Sequence, residues 1–344
     1  MNQALFSWQE PAWEYFISLR ERMPHAFLLH GPQGIGKTVL AEQMAQSLLC
    51  DAPDARGHAC QQCGSCNWFR QYSHPDYRRV RPELLDEEEA SAADVEPEAG
   101  SKSAKASKAP SKEIVINQIR ALADFMNLST HRQGRRVIVL YPAEALNVPA
   151  ANALLKSLEE PGAATVFILV THSPDKLLPT ILSRCHQFAL GLPAPAQALA
   201  WLQQQGVSAA ADCLAQQGGA PLAALELAQS ERYTEIDEFL RQLCKPAIDV
   251  SLKLAEKMQK SEMPVLVSAL QRWLYDIFSF KQSGRIRYHP RYERELKGLA
   301  ARVDGDALLK LIDNTNERQA IANHPLSAKL FLEDMLLEYS ALFA

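Results

Sequence analysis

The sequence predicts an α/β P-loop domain, a parallel sheet with helices on both faces, followed by two all-α domains. Three observations carry that reading. The octapeptide Gly31-Pro32-Gln33-Gly34-Ile35-Gly36-Lys37-Thr38 stands between an apolar run and a helical pattern, the context a Walker A loop requires. Apolar runs alternate with helical periodicity up to about residue 190, which is how parallel sheets with crossover helices are built. Beyond Pro193 the strand signals disappear and Ala-, Leu- and Gln-rich helical segments take over. The expected boundaries are 1–190, 191–240 and 241–344.

In residues 1–25, Phe6, Trp8, Trp13, Phe16, Ile17 and Leu19 recur at mostly helical spacing, which predicts a leading helix with Trp8 and Trp13 packed on the core. Ala26-Phe27-Leu28-Leu29 is the first strand, and Val39–Ala45 continues the helix after the loop. Gly31, Gly34 and Gly36 let successive backbone N–H groups point inward, and the following helix adds its positive dipole end. Lys37 then reaches the β and γ phosphates of ATP, and the Thr38 hydroxyl ligates Mg²⁺. The alternative is a glycine-rich strand-to-helix turn with a chance lysine.

Four of the seven cysteines follow, Cys50, Cys60, Cys63 and Cys66, spaced C-x9-C-x2-C-x2-C. Two overlapping C-x2-C steps present thiolates as tetrahedral zinc requires, and an all-sulfur set leaves no open position, so a structural Zn²⁺ is expected. Free thiols or an iron–sulfur cluster are the alternatives. His58 and His74 flank the group and are candidate substitutes, while Cys185, Cys213 and Cys244 read as small apolar residues.

Tyr77–Arg81 reads as a strand. Residues 86–112 open with Asp86-Glu87-Glu88-Glu89 and contain no aromatic residue, so a disordered insertion is expected there. Ile116, Ile119, Leu122, Phe125 and Met126 give a helix, and Arg135–Leu140 a buried strand. In an ATPase of this type that strand ends in an Asp for Mg²⁺, followed by a Glu for the attacking water. Here it ends Leu140-Tyr141-Pro142, and Glu144, expected inside the next helix, is a weak substitute. A helix over 150–160 stops at Pro161, Thr165–Thr171 is the fourth strand, and a helical stretch Lys176–Leu182 leads through Ser183-Arg184-Cys185 to a strand at His186–Leu190. Short helices reach about residue 240, and amphipathic helices over 263–280, 306–321 and 326–342 make the last block an interaction domain.

Composition narrows the function classes. The 344 residues are 47% hydrophobic and 22% charged with a formal net charge of −4, which argues against a strongly basic stand-alone nucleic-acid binder. No apolar run of membrane-spanning length occurs and the amino terminus lacks signal-peptide character, so no membrane partner and a cytoplasmic location are expected.

Taken in order, the Walker A loop, the four cysteines, His74-Pro75-Asp76-Tyr77, Asn152-Ala153-Leu154-Leu155-Lys156-Ser157-Leu158-Glu159-Glu160-Pro161, Ser183-Arg184-Cys185 and two helical domains resemble the AAA+ subunits of the bacterial DNA polymerase III clamp loader. The resemblance implies an AAA+ core over 1–190, a lid over 191–240 and an oligomerisation collar over 241–344. The gamma/tau motor subunits of that family carry a Walker B Asp-Glu pair where this chain has Tyr141-Pro142, and a sensor 2 Arg where Leu222 stands. Both losses point to the family's non-hydrolysing stator, in which the intact loop either holds ATP and Mg²⁺ without turnover or is a relic whose glycines serve packing only. Arg184 matches the arginine finger offered in trans to a neighbouring gamma/tau subunit, and Thr171 matches the polar sensor 1 position. Read without the family, Arg184 is an arginine paired with an acidic residue at a helix end.

The implied partners are gamma/tau and delta subunits, with the sliding clamp and primed DNA reached through the complex. Two rivals are an ATP-hydrolysing clamp-loader motor that uses Glu144, and a zinc-bearing DNA-binding module with a vestigial P-loop.

Overall fold

Strands buried on both faces need near-continuous apolar runs, and three such runs form the middle of a five-stranded sheet whose two edge strands are part-exposed and more polar. The five strands are β1 (Ala26–His30), β2 (Tyr77–Val80), β3 (Arg136–Leu140), β4 (Thr165–Thr171) and β5 (His186–Ala189). All pair in parallel, in the order β2-β3-β4-β1-β5. The structure, a computed structural model, describes residues 4–92, 110–131, 134–323 and 327–343. It divides into two compact units, Met1–Leu192 and Pro193–Ala344.

Alternation along the strands sorts the first unit's core into two layers. Leu28, Ile138, Leu140, Phe167 and Leu169 face α5 (Ile116–Asn127), α6 (Val148–Glu159) and α7 (Pro179–Leu182). Phe27, Leu29, Val137, Val139, Ile168 and Val170 face α1 (Glu10–Ser18) and α2 (Lys37–Leu49). Because the strands are parallel, the loops after β1, β3 and β4 leave the same edge of the sheet, where ligands of open α/β folds bind.

A short helix α3 (Gly64–Arg70) is capped by Cys63 and carries Cys66 in its first turn. The expected disordered insertion does not begin at 86, because α4 spans Glu83–Ala92. Glu83 and Asp86 occupy its first turn, where acidic side chains stabilise the positive end of the helix dipole. The first residue of the run that depresses hydropathy, Asp86, therefore also supports the start of a helix. Residues 93–109 of that expectation lie outside the described residues. At its far end Ser111 is held in place, its N–H donating to the Glu83 carboxylate at 3.2 Å.

The second unit is helical throughout its described residues: α8 (Pro195–Gln204), α9 (Ala210–Gln216), α10 (Pro221–Gln229), α11 (Arg232–Leu243), α12 (Ile248–Met258), α13 (Met263–Ser283), α14 (Glu293–Arg302), α15 (Gly305–Ile321) and α16 (Ala328–Ala341). One apolar cluster runs from Ala198 to Tyr339, so the expected second and third blocks share a core. At its centre Trp273 donates Nε1–H to the Tyr339 hydroxyl at 3.0 Å, which donates in turn to the Leu243 carbonyl at 2.8 Å. Among the described residues no helix is long and apolar enough to cross a membrane.

Candidate functional site

The loop after β1 has the predicted glycine geometry. Gly31, Gly34 and Gly36 all take positive φ (147°, 77° and 85°), and Gly36 caps α2. Two of these positions are tightly enclosed. A Cβ on Gly31 would lie 2.1 Å from the Leu190 carbonyl oxygen, and one on Gly36 would lie 2.7 Å from the Phe6 ring and 2.9 Å from Gln9 Nε2.

The residues around Gly36 belong to a segment that the sequence did not connect with the loop. Trp8 Nε1–H donates to the Ile35 carbonyl at 3.0 Å, and Gln9 Nε2 donates to the Gly36 carbonyl at 2.8 Å. Phe6 stacks on Trp8 with ring centroids 4.6 Å apart. Trp13 packs in the core as expected, at 2% exposure, but Trp8 does not; the 3-10 turn Ser7–Gln9 interrupts the helical register and swings it over the P-loop. Beside it a cavity of about 330 Å³ is lined by residues including Trp8, Tyr15, Ile35, Phe188 and Leu190.

Lys37 is buried at 2% exposure, and its ammonium donates to the Gly31 carbonyl at 2.7 Å and to the Pro32 carbonyl. Burial lowers its pKa to about 8, with the nearby Glu144 carboxylate opposing the shift. Thr38 is half-buried in the first turn of α2.

No carboxylate ends β3. Tyr141 holds that place, and its hydroxyl accepts from Arg81 at 3.5 Å, toward the edge strand. Glu144 is not inside the following helix. It sits in the 3-10 turn Ala143–Ala145, since Asn147 caps α6 by accepting the Ala150 N–H at 3.0 Å and the helix starts only at Val148. Released from the helix, the carboxylate turns back to the strand ends. Glu144 Oε1 accepts the His172 N–H at 3.0 Å, whereas Oε2 and His172 Nδ1 are buried without a hydrogen-bond partner. Burial first, and the Lys37 charge second, lower the His172 pKa. Lys37, Glu144 and His172 thus converge from the loops after β1, β3 and β4. His172, directly after a buried strand at the ligand-facing edge, was findable from that position alone. Thr171 is fully buried, its hydroxyl accepting the Ser173 N–H at 3.1 Å.

Arg184 lies after α7. Its guanidinium pairs with Glu159 at 2.6 Å and donates to the Thr180 carbonyl at 3.0 Å, with the side chain about one-third exposed at 34%. Leu222 lies in the first turn of α10, in the second unit, and brings no cation.

The four cysteines meet. Their sulfurs lie within 4.8 Å of one another, with Cys50 to Cys66 at 3.6 Å and Cys50 to Cys63 at 3.9 Å. A tetrahedral site with metal–sulfur bonds of about 2.3 Å needs sulfurs about 3.8 Å apart. Backbone N–H groups of Cys60, Cys63 and Cys66 donate to the sulfurs of Cys50, Cys60 and Cys63 at 3.2, 3.4 and 3.4 Å, the contacts that thiolates favour. Such donors, chiefly the Gln62 and Cys63 amides, lower Cys60 to about 6, while burial raises Cys50 and Cys66. The donor set fits a tetrathiolate metal. Neither histidine joins it: His58 stacks on Trp13, and His74 Nδ1 accepts the Asp76 N–H.

A P-loop on a five-stranded parallel sheet, followed by a helical unit, defines an ATPase-type domain of the AAA+ class. A family model described as "DNA polymerase III, delta subunit" matches residues 9–193. DNA polymerase III subunit delta′ of Pseudomonas aeruginosa is 35% identical over 98% of this chain and 98% of its own length. The subunit of the same name from Haemophilus influenzae is 30% identical over 70% of this chain and 66% of its own. A solved gamma subunit-related protein of DNA polymerase III from Thermotoga maritima has 17% identity and a TM-score of 0.43 over 97% of this chain and 100% of that one. The chain belongs to the DNA polymerase III delta′ family and is a clamp-loader component.

Proposed function

We propose that this chain is the non-hydrolysing stator of the clamp loader: it holds ATP with Mg²⁺ without turning it over, and lends Arg184 to a neighbouring gamma/tau ATPase. The observation that carries the reading is the pairing of a complete Walker A loop with a β3 end, Tyr141-Pro142, that offers no carboxylate to metal or water. Lys37 and the amides around Gly34 and Gly36 would hold the phosphates and Thr38 the Mg²⁺. Bound Mg²⁺ supplies charge neutralisation for the triphosphate; the lysine must leave the Gly31 and Pro32 carbonyls to share that task.

Cys50, Cys60, Cys63 and Cys66 hold a structural Zn²⁺. Residues 191–240 act as the lid and 241–344 as the collar that assembles with gamma/tau and delta subunits. The sliding clamp and primed DNA are engaged through that assembly.

Equilibrium titration of the purified chain with ATP, beside steady-state turnover, tests the reading. Saturable binding without turnover is expected, and Lys37→Ala should abolish binding. One observation favours a second reading, a motor that uses Glu144: the partnerless Oε2 is buried close to Lys37. Turnover lost in both Lys37→Ala and Glu144→Gln would establish the motor and end the stator proposal.

The binding also has a pH signature. Phosphate favours the ammonium, so the Lys37 pKa rises on binding from about 8 in the free loop. Affinity is then fully present below the free value and falls as pH rises through it, by up to about tenfold per pH unit. Titrations from about pH 6.5 to about pH 9.5 check this, and a flat profile would remove Lys37 from the binding step.

A further inference from the structure

In the helical unit, the last turn of α13 and the segment after it concentrate basic residues in a chain whose net charge is −4: Lys281, Arg285, Arg287, Arg291 and Arg294 stand against Glu293. Two of these cations are already engaged. Arg291 pairs with Asp237 at 3.2 Å and Asp212 at 3.9 Å, and Lys281 donates to the Val303 carbonyl at 2.9 Å. Arg285 and Arg287 are exposed and form no ion pair with any described residue.

The backbone that carries them is fixed. Asp276, fully buried on α13, accepts the N–H groups of Arg287 at 2.8 Å, Tyr288 at 3.0 Å and His289 at 2.7 Å, and the His289 ring at 2.9 Å. Ile286 packs on the apolar cluster between the two exposed arginines. Tyr288 meets Tyr275 edge-on with centroids 5.4 Å apart, and the Arg287 guanidinium lies 5.5 Å from the Tyr288 ring. Tyr275 is 41% exposed, a large ring left open to solvent.

A third arginine lies near Tyr288. Arg272, one helical turn before Tyr275, is half-buried with no carboxylate partner among the described residues; its hydrogen-bond acceptor is the Gln217 side-chain oxygen at 3.4 Å. Burial lowers its pKa, and only Tyr288 opposes that shift. A partly desolvated guanidinium without a counter-charge gains from an incoming anion.

We propose that Arg272, Arg285 and Arg287, set around Tyr275 and Tyr288 on a loop anchored by Asp276, form a contact site for single-stranded DNA. The arginines take backbone phosphates, and the open face of Tyr275 takes a base, the combination by which single strands are held without sequence preference. The site is independent of the nucleotide reading, and Lys37→Ala should leave it intact.

The test is fluorescence anisotropy of a labelled oligothymidylate of about 20 nucleotides with the full chain across a salt series. Weak, salt-dependent binding is expected, with Kd of about 10⁻⁶ to 10⁻⁴ M. Arg285→Ala with Arg287→Ala should flatten the log–log salt slope by about 1.4, since each phosphate contact on a single strand contributes about 0.7. Tyr275→Ala should weaken binding about fivefold or more with the slope unchanged. Arg285 and Arg287 face solvent, so circular dichroism and Tm of the double variant should not move. Absence of binding at low salt, an unaltered slope in the double variant, or equal affinity for duplex with no effect of Tyr275→Ala would each overturn the proposal. So would displacement of the strand by polyglutamate at equal charge, which would mark an acidic protein segment as the partner.

Discussion

Arg184→Ala is expected to lower ATP turnover of the reconstituted clamp loader by about 10³-fold or more while leaving this chain folded and assembled. An arginine offered in trans to a γ-phosphate neutralises charge that develops only in the transition state, and such fingers contribute about 10³ to 10⁵ in rate. Arg184 is suited to leave its present contacts. Its partner Glu159 is about half exposed, at 48%, and a surface ion pair of this kind is worth about 0–1 kcal/mol. The Tm of the isolated chain should therefore barely change. Arg184→Lys should recover little, because a lysine lacks the planar fork that meets two phosphate oxygens at once. Glu159→Ala should leave turnover at or above the wild-type level. Full turnover in a complex carrying Arg184→Ala would reduce this arginine to a helix-end ion pair.

Loss of metal from the cysteine cluster should have the second large effect. Zinc contributes about 10–16 kcal/mol in small modules that fold only around it, but here part of the module is fastened independently. Trp13 donates to the Arg56 carbonyl at 3.0 Å, and Arg20 donates to the Ser47 carbonyl at 3.2 Å. Cys63→Ser with Cys66→Ser is therefore expected to cost about 3 kcal/mol or more, a fall in Tm of roughly 6–12 °C for a domain of this size. Elemental analysis should find one zinc per wild-type chain and none in the variant, with ATP binding retained. Iron and visible absorption in the wild type would replace zinc by an iron–sulfur cluster.

The three inner strands were legible because they are buried on both sides, so each announces itself as an apolar run such as Val137–Leu140 or Val166–Val170, whereas the edge strands β2 and β5 are half-exposed and carry polar residues such as Arg78 and Gln187. The P-loop and cysteine spacings were legible because local geometry alone fixes them. What failed to show depends on signals that compete over a few residues. Ala143-Glu144-Ala145 has helix-forming composition, yet Asn147 and Pro149 restart the helix later and free Glu144. Asp86 opens a run that reads as solvated chain, yet it lies with Glu83 in the first turn of α4 and stabilises it. Trp8 had helical spacing but lies in a 3-10 turn. The convergence of Lys37, Glu144 and His172, and the pairing of Arg184 with Glu159, follow from sheet order and helix packing, which no spacing along the chain encodes.

The close quarters around Gly31 and Gly36 separate the motif's letters into two kinds. A side chain at either glycine would collide with the Leu190 backbone or with Phe6 and Gln9, whether or not a nucleotide ever arrives. These glycines are therefore architectural, and a descendant that had abandoned ATP would still be held to them. Lys37 is under no such compulsion: its charge lies buried against two carbonyls at a cost in desolvation, and neutral side chains would be easier to accommodate. The glycines, which folding itself requires, therefore say nothing about ATP, and Lys37, which folding does not require, is the letter of the motif whose substitution separates a phosphate-binding loop from an architectural one.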